Sequence, residues 1–226
     1  MKSQLFAVLT GDIIRSSKLT SKELSRLPAA FSAVVQQVDR ACGQPEGTTK
    51  FSIFRGDSFQ LLTTPEAALK TIVLLRAGLR VTFPKTIADS VDARIAIALG
   101  TVSHIASNIT ESAGEAFTLS GHLLDTLPHS RETLFGYKGG EADKELNTAL
   151  SLADEITRKW TSSQAALVLW LLLGMTQKEI ARKTNISQPT IMKKVKTMGW
   201  QGINDLLHRY DEIIHNIASE SYIHKL

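Results

Sequence analysis

Asp12 and Asp57 stand 45 positions apart, each directly after a glycine, in TGDII (10–14) and FRGDSFQ (54–60). Two carboxylates meeting at a strand edge beside backbone carbonyls are hard oxygen ligands, suited to Mg²⁺ carrying a nucleotide's phosphates. Each acid also has a plainer reading alone: Asp12 can cap a following helix, and Asp57 can form a turn. Arg55, Gly56 and Arg94 complete a candidate phosphate pocket, although an arginine beside a strand can equally pair with an acid such as Asp92. His104 and His129 have no partner at metal-ligand spacing, so a zinc site is not expected.

A second set of residues suggests different chemistry. In TQKEIARKTNISQPTIMKKVK (176–196), Thr176 and Glu179 form a capping box, and Asn185 occupies a turn position that favours the left-handed conformation. Ser187 caps a second helix whose first turn tolerates Pro189. Ile180, Ala181, Ile191 and Val195 face inward, and Gln188, Thr190, Lys193 and Lys194 are expected to face outward. This is a helix-turn-helix pattern, in which the start of the second helix meets base edges and flanking cations meet phosphates. Gln188 and Thr190 are the candidate base readers. Arg182, Lys183, Lys193 and Lys194 are the candidate backbone contacts. The plainer alternative is a helical hairpin whose lysines only keep it soluble.

The elements that must position these residues are legible in the apolar pattern. LFAVLTG (5–11) reads as a strand, Lys22 to Val38 as a helix with a kink or fresh start at Pro28, and 50–62 as a hairpin turning at Arg-Gly-Asp. Pro65 opens a helix through Leu79, DARIAIALG (92–100) is a buried strand, and Gly114 to Leu127 is a further helix. Strand, helix, hairpin, helix, strand is the order of a ferredoxin-like core. In that fold the first and third strands are neighbours, which draws Asp12 and Asp57 together. The expected organisation is α+β: a ferredoxin-like domain over 1–128, a linker over 129–145, and an all-α helix-turn-helix domain over 146–226. Trp160, Trp170 and Trp200 are expected to fill the helical core. From Ile203 to Ile217 the residues Ile203, Leu206, Leu207, Tyr210, Ile213, Ile214 and Ile217 make one apolar stripe. Such a stripe can pair two chains into the homodimer that a two-half-site operator requires, or pack back on the chain's own helices.

Composition narrows the class. Between Arg158 and Trp200 eight Lys or Arg face one Glu, whereas the whole 226-residue chain carries only +4. A basic charge this localised fits double-stranded DNA as partner. The single cysteine, Cys42, excludes an internal disulfide and fits a reducing compartment. MKSQLFAVLTGDII lacks a small-residue cleavage site and reads as a first strand, and AALVLWLLLGM (165–175) is shorter than the about 20 residues a membrane span needs. A cytoplasmic location is expected.

TGDII, FRGDSFQ, DARIAIALG and GEAFTLSGHLLD together resemble the palm-type catalytic domain of class III nucleotidyl cyclases and GGDEF diguanylate cyclases. Over nearly the full length, including WTSSQ (160–164), the chain is similar to the SatD family, which couples such a domain to a DNA-binding tail. The resemblance implies metal-binding roles for Asp12 and Asp57. It departs where cyclases place their transition-state Asn and Arg: those positions are Thr118 and His122 here, and the residue after the hairpin Asp is Ser58. Without that fixed positive charge, a phosphoryl-transfer site loses much of its catalysis. The resulting expectation is a transcriptional regulator whose degenerate cyclase-like domain senses a ligand, such as a nucleotide with Mg²⁺. The alternative is an active nucleotidyl cyclase with a DNA-binding tail.

Overall fold

A computed structural model describes residues 4–54 and 56–223, the last four of these in backbone only. Five strands form one sheet: β1 (Leu5–Ile14), β2 (Lys50–Phe54), β3 (Ser58–Thr63), β4 (Asp92–Thr101) and β5 (Thr133–Gly136), in the order β2-β3-β1-β4-β5. The first four are antiparallel, in the ferredoxin-like order that the pattern predicts. The long central strands β1 and β4 are apolar on both faces, with Ala7, Val8, Leu9, Ile95, Ala96, Ile97 and Ala98 all fully buried. Such near-continuous apolar runs belong at the centre of a sheet covered on both sides.

One face carries the main core. Against it lie α1 (Ser21–Leu24), α2 (Leu27–Ala41) and α3 (Ala68–Thr82). Pro28 gives α2 a fresh start, as one of the two sequence options allowed. Residues 65–67 form a turn, so the helix expected from Pro65 begins three residues later, at Ala68. Phe31 meets Phe59 edge-on with centroids 4.9 Å apart. Gly11 of TGDII makes that packing possible: a Cβ there would lie 2.5 Å from the Phe59 ring and from the Arg94 carbonyl. The other face is covered by α4 (Glu115–Thr126), whose Ala116 and Phe117 pack on Val8 and Leu62.

The expected linker over 129–145 contains a strand. β5 pairs in parallel with β4, from Ile95–Thr133 to Ala98–Gly136. Its four residues carry too little pattern to signal a strand, and it forms because the next helix, α5 (Glu141–Thr157), finishes its edge. Asn147 both donates to and accepts from the Phe135 backbone at 2.8 Å, as a neighbouring strand would. Asp143 accepts from the N–H groups of Tyr137 and Gly139, and Asp154 from those of Glu132 and Thr133. These three side chains recur on one helix face and satisfy backbone donors that an edge strand leaves open.

The remaining helices are α6 (Ser162–Leu172), α7 (Gln177–Thr184), α8 (Gln188–Thr197) and α9 (Trp200–Ile223). They do not form a separate core. Their buried residues join the α2/α3 face in one continuous apolar cluster. In α9 the stripe Ile203, Leu207, Tyr210, Ile213, Ile214 and Ile217 is buried within the chain, and Tyr210 donates to the Pro65 carbonyl at 2.9 Å. The stripe therefore packs internally and is not a surface for pairing two chains.

A buried ionic knot joins the halves. Arg76 of α3 grips Asp92 through two nitrogens at 2.8 and 2.9 Å and reaches Asp154 of α5 at 2.6 Å. Arg80, one turn on, holds Asp92 at 2.7 Å and donates to the Trp160 carbonyl at 3.0 Å. All four charged side chains are at least 96% buried. Burial by itself would raise the Asp92 carboxyl, but the two guanidinium groups outweigh it and hold it below the ordinary carboxylate value. A depressed folded value means that this stabilisation is present above pH ~4, the unfolded carboxylate range, and is lost as pH falls through the folded value. Arg76→Met should cost about 3–5 kcal/mol in chemical denaturation, because two buried carboxylates lose a partner. Arg76→Lys should recover only part of this, since an ammonium cannot bridge both acids in the same geometry.

Candidate functional site

Asp12 ends the polar row on the α4 face of the sheet. Its Cα is paired with Ser58 on one side and Arg94 on the other. The Ser58 hydroxyl donates to Asp12 Oδ1 at 2.7 Å. One residue pair back, Gln60 Nε2 donates to Thr10 Oγ1 at 3.2 Å, and the Thr10 and Ser120 hydroxyls share a 2.7 Å hydrogen bond. Asp57 sits in the hairpin turn, where its carbonyl accepts from Ile13 N–H at 3.0 Å and its Oδ2 accepts from Ser16 Oγ at 2.7 Å. The fold thus brings the two backbones together, while a separate hydroxyl holds each carboxylate. Each half-buried acid keeps its second oxygen without a partner among the described residues. Those described residues include no cluster of three or more His, Cys, Asp or Glu able to hold a metal. The donor set is therefore two carboxylates, which matches Mg²⁺ only in its usual mode of sharing the ion with phosphate and water.

The other phosphate candidates are placed differently. Gly56 is exposed at the hairpin tip with φ +87°, and Arg55 lies outside the described residues. Arg94 makes no ion pair with Asp92: its Nη2 donates to the Leu127 carbonyl at the end of α4, and its buried Nε has no hydrogen-bond partner among the described residues. A cation at that terminus complements the helix dipole, so Arg94 is engaged in holding α4. Asp92 is taken by Arg76 and Arg80. Thr118 and His122 are exposed, one turn apart on α4.

The second candidate surface lies at α7 and α8. Thr176 and Glu179 form the full capping box. Asn185 ends α7 at φ 53°, ψ 36°, the left-handed conformation. Ile180, Ala181, Ile191 and Val195 are buried at 0–9% exposure. Gln188, Thr190 and Lys193 are exposed, whereas Lys194 is half-buried on the flank of α8. Lys196 and Met192 were not among the expected readers, yet both are exposed on α8, Met192 at 54%. Counting at about 100° per residue from the buried Ile191 and Val195 places Lys196 outward, but puts Met192 and Lys194 equally on the two flanks of that face. Ser187 makes no cap to the backbone; its hydroxyl bonds that of Thr190 at 2.8 Å. Lys183 lies over the Trp170 ring at 5.9 Å. Of the three tryptophans, Trp160 is fully buried and Trp170 and Trp200 are half-buried.

Hydrogen bonds run from the first surface to the second. Ser16 bonds Asp57, and the adjacent Arg15, at φ 64°, donates to the Ser90 carbonyl at 3.0 Å. Arg80 Nη1 bonds both Ser90 Oγ at 2.9 Å and the Trp160 carbonyl. Trp160 Nε1 then donates to the Met198 carbonyl at 2.8 Å, at the C-terminal cap of α8. Gly199 follows with φ +70°, and a Cβ there would meet Ile156 of α5 at 2.8 Å.

No family model matches the chain, and no curated protein does. Two solved structures, each described as a bacterial light-regulated adenylyl cyclase, overlap 58% of this chain at 18% identity. Their TM-scores are 0.40 and 0.41, and the overlap spans 43% and 42% of those longer chains. The likeness is a distant one of fold. Among the described residues no helix is long and apolar enough to cross a membrane.

Asn185→Gly should leave the melting temperature unchanged or raise it. Asn185→Ala should cost about 1 kcal/mol, because a side chain without Asn's local hydrogen bonding bears the left-handed penalty.

Proposed function

We propose that this chain is a DNA-binding transcriptional regulator of the SatD type, in which α7 and α8 dock on the duplex and the sheet domain senses a ligand. One observation carries the DNA reading. Lys178, Arg182, Lys183, Lys193, Lys194 and Lys196 crowd a two-helix segment, and none forms a salt bridge among the described residues. Cations elsewhere that hold no carboxylate among the described residues, such as Lys22, Lys50 and Lys70, are spread along the chain, whereas these six fall within residues 178–196, which contain a single acid, Glu179. Cations concentrated in one short segment without carboxylates to pair with are suited to an anion from outside the chain, and phosphates along a duplex supply a row of them.

The ligand reading rests on the paired backbones at Asp12 and Asp57 and the free oxygen of each carboxylate. A nucleotide bringing its own phosphates with Mg²⁺ would complete that donor set. The hydrogen-bonded path through Ser90, Arg80 and Trp160 supports coupling from there to α8. Coupling requires the ligand to bind two arrangements of the chain with different affinity. Turnover of the nucleotide is not part of the proposal, since Thr118 and His122 offer no permanent positive charge to a transferring phosphoryl group.

Binding of the full chain to a mixed-sequence duplex, followed by fluorescence anisotropy from low to high salt, tests the DNA reading. Lys193→Ala/Lys196→Ala should reduce the slope of log affinity against log salt by roughly 2, about 0.9 for each phosphate that is no longer neutralised. Lys22→Ala/Lys50→Ala, on the sheet domain, should leave the slope unchanged. Equal slopes in the wild type and the α8 variant would contradict the assignment.

A further inference from the structure

If α8 is the reading helix, its two unpartnered side chains of complementary type define what it reads. The amide of Gln188 has no hydrogen-bond partner among the described residues and is exposed in the first turn. Met192 lies four residues on, 54% exposed, while the other apolar residues of this helix and its cap, Ile191, Val195 and Met198, are 0%, 7% and 3% exposed. Residues at i and i+4 on a helix have Cβ atoms about 5–6 Å apart, so Gln188 and Met192 form one patch. Thr190, the other expected reader, has its hydroxyl engaged by Ser187. Exposed Pro189, Lys193 and Lys196 border the patch.

A lone exposed methionine is unremarkable on a protein surface. This one sits beside a free carboxamide, on a helix whose other exposed residues are Pro189, Thr190, Lys193, Lys196 and Thr197. In the major groove an A·T pair presents adenine N7 and N6–H, which a glutamine amide matches with one donor and one acceptor, and a thymine C5-methyl, which only an apolar contact can reward. The unbranched thioether adapts its shape to such a contact. We infer that Gln188 and Met192 together read A·T pairs, Gln188 on the adenine edge and Met192 on the thymine methyl. The inference rests on the DNA-binding reading above and adds its base preference.

The test removes the methyl rather than the base. A duplex is selected from a randomised pool on the full-length chain, and each thymidine is then replaced in turn by deoxyuridine, which keeps every hydrogen-bonding group. Wild-type affinity should fall roughly three- to fourfold at one or two positions, the worth of one methyl removed from water. Met192→Ala, whose change lies at an exposed position, should bind the unsubstituted duplex about that much more weakly and lose its sensitivity to deoxyuridine. Replacing adenine by 7-deaza-adenine beside those positions should weaken the wild type but not Gln188→Ala. Four results would overturn the inference: a selected site without an A·T pair, no effect of deoxyuridine on the wild type, an effect that persists in Met192→Ala, or a 7-deaza-adenine effect that persists in Gln188→Ala. In each of these the wild type still binds DNA and the regulator reading survives. Failure to bind any duplex would overturn both.

Discussion

Arg76 and Arg80 set the constraint on which this architecture depends. Two arginines one turn apart on α3 are buried against Asp92 of β4 and Asp154 of α5, and every charge in the group has an opposite within 2.9 Å. Burying an ion costs several kcal/mol unless it is paired and its remaining hydrogen-bonding groups are satisfied. Asp154 meets that condition by also accepting from the backbone N–H groups of Glu132 and Thr133 and from the Thr133 hydroxyl. The acid that neutralises α3 therefore also anchors the start of β5, so sheet, helix and helical tail become one unit. The ion pairs fix where α5 must lie; the apolar cluster supplies most of the stabilisation.

That arrangement has a functional consequence. The helical tail has no separate core on which to swing, and α9 spends its apolar stripe inside the chain. α8 is held from behind by Ile191 and Val195 and at its C-terminal cap by the Trp160 ring nitrogen. Its outward face leaves Gln188, Met192, Lys193 and Lys196 exposed. If α8 docks on DNA as proposed, a helix held in this way loses little freedom on binding, which favours affinity. The hydrogen bonds through Ser90, Arg80 and Trp160 connect the sheet to the C-terminal cap of α8.

Much of this was readable in the chain. The capping box at Thr176, the left-handed Asn185 and the inward Ile180, Ala181, Ile191 and Val195 are local signals, set by residues within a turn or two, and local physics delivered them. The four ferredoxin-like strands followed from apolar periodicity. What the sequence hid depends on distant partners. β5 carries only four residues and is completed by side chains of α5. Arg76 and Arg80 look like solvated helix residues until Asp92 and Asp154 arrive from elsewhere in the chain. The α9 stripe has the same pattern whether it faces a second copy or its own core, and only tertiary packing decides. For the candidate site, sequence placed Asp12 near Asp57 through strand adjacency, but it did not foresee that Arg94 would be engaged at the end of α4. On α8 the expectation names Lys194, which is half-buried, and passes over Lys196, which lies farther in helical angle from the buried Ile191 and Val195. Met192 and Lys194 flank that buried face equally, and only tertiary packing exposes the one and half-covers the other.

We propose that this molecule meets DNA through α8 while the sheet stays clear of the duplex. Backbone amide shifts of the full-length, isotopically labelled chain, recorded while a short duplex is added, test it most directly. The account predicts perturbations concentrated over 176–197, strongest around Gln188, Met192, Lys193 and Lys196, with β2 and β3 silent. Perturbations centred on the sheet, or none near α8 at saturating duplex, would contradict it.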